Sequence, residues 1–209
     1  MKLTKYRHAC FTVQENDKVL VIDPGEFSTD FIAPENVVAV VITHEHPDHF
    51  DPERLAEIMD KNPSALVLAP HSISDKLEAF NHQAVTAGEM LEVEPFSLAF
   101  HGGQHATIHA DIPSIENVGI VINDLIYYPG DSFTLPGQAI DTLLLPASAP
   151  WMKISEAINF LEAIKPRLAI PTHDAILSLE GQGIADRLLG MAAQNIGSEY
   201  KRLETSVEI

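Results

Sequence analysis

Val37–Asp51 reads VVAVVITHEHPDHFD. Val37–Thr43 is apolar and β-branched over the length of one strand, which predicts a buried strand. A histidine cluster follows it directly. In extended chain, residues i and i+2 point to the same side, so His44 and His46 can reach one metal ion together. Pro47 turns the chain, and Asp48 and His49 then face the same cavity from a slightly different place. With ligands arriving from elsewhere, four ligand-type side chains in six positions are too many for one tetrahedral site and suit two adjacent metals. Asp51 then caps a predicted helix with Pro52 at its first position and Leu55, Ile58 and Met59 along one face.

Outward from this stretch the chain is short apolar runs separated by turn residues. Strands are predicted at Lys18–Asp23, Ala65–Ala69, Leu91–His101 (one long run), Val118–Asn123, Leu125–Tyr128, Thr142–Leu145 and Arg167–Thr172, with a hairpin turn at Asp124. Helical spacing appears weakly in Ser72–Phe80. It is clearer in Ile154, Ala157, Ile158, Leu161 and Ile164, before Pro166. Ile184, Leu188 and Met191 mark a last helix, closed by Gly197. Early strands pair as hairpins and later ones alternate with helices, which suggests packed sheets with helices outside. One domain, residues 1–209, is expected.

Ligands for the two metals must come from downstream. Asp131, in YPGDS, follows a strand and a glycine turn, and its two carboxylate oxygens can bridge a metal pair. His173 stands at the end of the Arg167–Thr172 strand. One of His101, His105 and His109 completes the first metal, and the glycine turn before His105 favours it. His8, His109 and Trp151 are candidate substrate contacts. Cys10, the only cysteine, is expected in the core and excludes a cysteine-based cluster.

Together these residues resemble the metallo-β-lactamase superfamily. The matching elements are IDPG at Ile22–Gly25, THEHPDH at Thr43–His49, a later histidine (His105), Gly130-Asp131, and PTH at Pro171–His173. They occur in the family's order. The resemblance implies an α/β, four-layer αββα sandwich, with His44, His46 and His105 on one metal, Asp48, His49 and His173 on the other, and Asp131 bridging. RHACFTV, GGQHATIHADIP and SAPWMKISEA are similar to a group of short bacterial metal-dependent hydrolases, and more distantly to the ascorbate-6-phosphate-lactonase-like branch. Diiron flavoprotein relatives place a glutamate where this chain has His46, which favours zinc-type hydrolysis over redox chemistry.

The expected function is therefore a dinuclear metal-dependent hydrolase acting on a small ester, lactone, thioester or phosphate ester. Zinc is the first choice, and manganese or iron suit the same donors. Zinc lowers the pKa of bound water from 15.7 to about 7; Asp48 would orient that nucleophile as the catalytic carboxylate. The competing readings are an iron-dependent oxidoreductase and a metal-binding sensor without catalysis. Thirteen basic against thirty acidic residues give a formal charge of −17, which argues against a nucleic-acid partner. Two cations with Asp48, Asp131 and hydroxide leave about +1 at the site, open to a small anionic substrate. The sequence shows no export signal or membrane span, so the cytoplasm is expected. Association as a homo-oligomer is compatible with this reading.

Overall fold

In the computed structural model, which describes residues 1–209, the first half of the chain supplies β1 (Lys2–Lys5), β2 (Phe11–Glu15), β3 (Lys18–Ile22), β4 (Val37–Val41), β5 (Leu66–Ala69) and β6 (His82–Ala84). The second half supplies β7 (Met90–Val93), β8 (Phe96–Gly102), β9 (Val118–Ile122), β10 (Ile126–Tyr128), β11 (Thr142–Pro146), β12 (Leu168–Thr172) and β13 (Glu199–Tyr200). The last strand, β14 (Ser206–Glu208), returns to the first sheet beside β1. The two seven-stranded sheets run β14-β1-β2-β3-β4-β5-β6 and β13-β12-β11-β10-β9-β8-β7. Each is half antiparallel hairpins and half parallel strands. Parallel neighbours need a crossover; three helices, α1 (Pro52–Lys61), α2 (Ile154–Ile164) and α3 (Leu179–Asn195), supply it for β4–β5, β11–β12 and β12–β13, and irregular segments supply it for the other three pairs.

The apolar run in β4 has a simple cause. Ala39 and Val41 face the core shared with the second sheet, which includes Phe11, Leu98, Phe100 and Ile170. Val37 and Val40 face the other way, onto Leu55, Ile58 and Met59 of α1. Both faces of the strand are covered, so neither tolerates polar residues. The second sheet repeats this. Leu144 and Ile170 point inward, whereas Leu143, Leu145 and Ala169 pack under Ala157, Phe160, Leu161 and Leu189 of α2 and α3. The layers are therefore helix, sheet, sheet, helix.

Local signals explain most element ends. Asp51 caps α1 by accepting from the Glu53 and Arg54 amides. Lys165 closes α2 in the left-handed region and Pro166 prevents continuation. Asn123 and Asp124 both take positive φ, as a tight hairpin turn requires. Three expectations need correction. Leu91–His101 is two strands, because the chain turns at Glu94-Pro95 and β7 pairs back on β8. Ser72–Phe80 is no α-helix, only a 3-10 turn at His71–Lys76. In α3 the buried face is Ala185, Leu189, Ala192 and Ala193, while Ile184 is 54% and Met191 58% exposed. Alanines let the helix sit close to its neighbours around Leu189, and Ile184 and Met191 are left outside. No helix is long and apolar enough to cross a membrane.

The carboxyl ends of β3 and β4 in one sheet, and of β11 and β12 in the other, open toward one shared edge, where the loops that follow them meet. The assignment of the α3 face has a direct check. Ala192→Asp is expected to lower stability by at least about 3 kcal/mol, since it buries an unpaired charge. Met191→Glu, one residue away, should change it by no more than about 0.5 kcal/mol. Equal effects in chemical denaturation would contradict the helix orientation.

Candidate metal centre

The turn after β3 organises this edge. Asp23 is fully buried and has positive φ. Its Oδ1 accepts the Thr43 amide at 2.8 Å; its Oδ2 accepts the Thr43 hydroxyl at 2.7 Å and His49 Nδ1–H at 2.7 Å. One carboxylate thus fixes both ends of the histidine loop to β3. Gly25 completes the contact: a Cβ there would lie 2.0 Å from the Asp48 carbonyl oxygen, so no other residue lets the two backbones approach. The Glu26 amide donates to Pro47 O at 2.8 Å on the same seam.

The imidazoles share one design. His44 Nδ1 lies 3.0 Å from Thr43 Oγ1, whose own proton goes to Asp23, so Nδ1–H donates to the hydroxyl oxygen. His49 Nδ1–H donates to Asp23. His105 Nδ1–H donates to Ala106 O, and His173 Nδ1–H to Ser148 O at 2.6 Å. Each ring therefore places its proton-bearing Nδ1 outward and turns Nε2 inward, the orientation that metal-ligating histidines adopt. His46 instead turns Nδ1 to within 3.2 Å of His44 Nε2.

The inward atoms form two groups, His44, His46, His105 and Asp131 on one side and His8, Asp48, His49 and His173 on the other. Within each group the ligand atoms lie within 4.8 Å of one another. Asp131 belongs to both sides by distance. Its Oδ2 is 3.3 Å from His105 Nε2 and 3.2 Å from His173 Nε2, and its Oδ1 is 3.2 Å from His49 Nε2. Ligand atoms about 2.0–2.1 Å from a single zinc stand roughly 3.0–3.4 Å apart, so these spacings suit cations between them. The orphaned atoms carry the fit. His49 Nε2, His105 Nε2, His173 Nε2 and Asp131 Oδ1 are buried without a hydrogen-bond partner, an arrangement that buried polar atoms avoid unless something absent from the protein itself satisfies them.

The electrostatics agree. Burial works against the charged form of His173, but Asp131 and Asp48 outweigh it and push its pKa up to about 9. Burial likewise opposes charging His49, and Asp131 and Asp23 overcome it, raising that group well above the usual histidine range. His44 is held well below that range by burial and by His49. Without cations, the site holds its carboxylates by keeping protons on histidines.

The structure brings together His44, His46, Asp48, His49, His105, Asp131 and His173. His101 and His109 lie outside both groups: His101 packs its ring on Tyr127 and His109 is exposed, accepting the Asp111 amide. Trp151 does touch the site, but Nε1–H is committed to Asp131 Oδ2 at 2.7 Å and the ring packs on Phe133. His8, expected to touch substrate, is fully buried behind Asp48. Asp23 was legible as part of the Ile22–Gly25 motif, but its role was not, because its partners lie 20 and 26 residues away. Asp174, beside His173, pairs with Lys5 at 3.3 Å and with Arg202, tying this loop to β1.

Below a pH of about 9, metal-free His173 holds a proton that a cation must displace. Zinc uptake near pH 7 is therefore expected to release protons, and apparent affinity should rise between about pH 6 and about pH 8. Titration calorimetry in buffers of different ionisation enthalpy reads this directly; uptake without proton release would contradict the protonation pattern.

Comparison with known proteins places this geometry. A family model described as the beta-lactamase superfamily domain matches residues 2–173. The chain is 38% identical over 190 residues to Protein Rv0786c of Mycobacterium tuberculosis, covering 88% of this chain and 89% of that protein. It is 31% identical over 188 residues to UPF0173 metal-dependent hydrolase MJ1163 of Methanocaldococcus jannaschii, covering 82% and 83%. Among solved structures, Igni18, a metallo hydrolase from Ignicoccus hospitalis, superposes with a TM-score of 0.75 at 22% identity over 100% of this chain and 98% of that one. With the family model spanning most of its length, this chain belongs to the beta-lactamase superfamily.

Proposed function

We propose that the protein is a dinuclear metal-dependent hydrolase, with zinc as the metal and a small ester, lactone, thioester or phosphate ester as the substrate. The observation that carries this reading is the convergence of ligand atoms from seven side chains, four of those atoms buried without a hydrogen-bond partner, with Asp131 within ligand-to-ligand distance of both groups. The printed name of the Methanocaldococcus relative, a metal-dependent hydrolase, points the same way. His44, His46 and His105 would hold one cation, Asp48, His49 and His173 the other, and Asp131 both. When bound, such cations lower the pKa of water to about 7 and polarise a carbonyl or phosphoryl oxygen.

The chain's own residues supply orientation. The Trp151 indole N–H restrains Asp131 Oδ2. The Asp48 side chain is 19% exposed against 3% for Asp131, so it is the carboxylate nearest the mouth. Burial raises its pKa, but the nearby His173 ring and the hydrogen bond from His8 more than reverse this, and the group stays ionised. Asp48 therefore serves as an acceptor that holds the attacking group in line rather than as an acid. Beside the site is a cavity of about 200 Å³, lined by Ala147, Ser148, Met152, Ile154, Leu177 and Ile184 among others. It reaches the centre only through Ser148, whose carbonyl accepts from His173 Nδ1 behind that ring. The formal charge of −17 disfavours large polyanions.

Metal analysis of protein purified without added metal, followed by a panel of esters, lactones, thioesters and phosphate esters, tests the reading. About two zinc ions per chain and turnover on one class are expected, with Asp131→Asn reducing turnover by roughly 10²-fold or more. Full metal loading without turnover on any class, or bound iron with oxygen consumption, would overturn it.

A further inference from the structure

His8 falls in the same group as Asp48, His49 and His173, and by distance it could be counted a metal ligand. Its hydrogen bonds give a different answer. The Ala175 amide donates to His8 Nδ1 at 3.2 Å. A backbone N–H can only donate, so Nδ1 must keep its lone pair and the ring must carry its proton on Nε2. That proton points at Asp48 Oδ2, 2.9 Å away. The pattern is the reverse of His44, His49, His105 and His173, whose Nδ1–H groups all meet acceptors and whose Nε2 atoms face the centre. A protonated ring is excluded on the same ground, since Nδ1–H would meet the Ala175 N–H.

We propose that His8 is a positioning residue, an N–H donor that holds the Asp48 carboxylate in its ligating orientation, and is not itself a ligand. The inference rests on the two-metal reading above. The surroundings of His8 are built to keep the ring still. It has no solvent exposure, it packs edge-on against Phe27 with ring centroids 5.2 Å apart, and it lies 4.2 Å from the His173 ring. Its backbone takes φ of 66°, a left-handed conformation uncommon outside glycine, and its carbonyl accepts the His173 amide at 3.1 Å. Thus His8 and the His173–Ala175 segment brace each other, and His8 transmits that placement to Asp48, whose side chain would otherwise be free to turn toward solvent.

Glutamine can reproduce both bonds, with its carbonyl oxygen accepting from Ala175 and its amide donating to Asp48; alanine and phenylalanine can do neither. His8→Gln is expected to keep zinc affinity near that of the unaltered protein. His8→Ala and His8→Phe should weaken the Asp48 site by about 10- to 100-fold in chelator competition and leave the other site unchanged. Long-range nitrogen–proton NMR on the zinc-loaded, unaltered protein should find the proton still on His8 Nε2. Loss of that proton on zinc loading, or equal damage from His8→Gln and His8→Ala, would overturn the proposal while leaving the two-metal reading intact. Absence of any zinc binding by the unaltered protein would overturn both. Should His8→Ala fail to fold, the NMR result and His8→Gln still decide.

Discussion

Asp23 accepts three hydrogen bonds inside a protein interior where a carboxylate without partners is costly. Two of the three, from the Thr43 amide and hydroxyl, set where the histidine loop leaves β4. The third, from His49 Nδ1–H, fixes one ring and frees its Nε2. Through Thr43 Oγ1 the same carboxylate also sets the tautomer of His44. The inward orientation of these two ligand rings therefore follows from one buried side chain, and Gly25 allows the approach that makes it feasible. Removing the carboxylate would leave Thr43 and His49 with unpaired buried donors and the loop without a reference point.

Three strained backbone positions lie at the same edge. His8, Asp23 and His173 all have positive φ without being glycine, and each is tied by hydrogen bonds to another strand-end loop. Conformations of this kind cost free energy and persist only where the surroundings over-determine them. Here they aim three side chains that the regular ends of β1, β3 and β12 would send elsewhere. The sandwich supplies rigid strands, and the short departures from regularity at their ends supply the aim.

Much of this was legible in the residues because the relevant signals are local. The apolar β4 run, the i, i+2 histidines and the Asp51-Pro52 helix start all act within a few positions. The α3 face was misread because Ala185, Ala192 and Ala193 carry little hydrophobic signal, although they make the contact, while Ile184 and Met191 carry much and make little. The β7–β8 turn was hidden in a run that alternates on both sides of Glu94-Pro95. The part played by His8 depends on Ala175, 167 residues away, and on which ring nitrogen that amide meets. No pattern along the chain encodes it.

The central claim is that two cations sit between seven side chains with Asp131 touching both. Anomalous diffraction from crystals grown with zinc, collected on either side of the zinc edge, tests it most directly. The account predicts two peaks, one among His44, His46 and His105 and one among Asp48, His49 and His173, each in contact with an Asp131 oxygen. A single peak, or two peaks of which either lies away from Asp131, would contradict it.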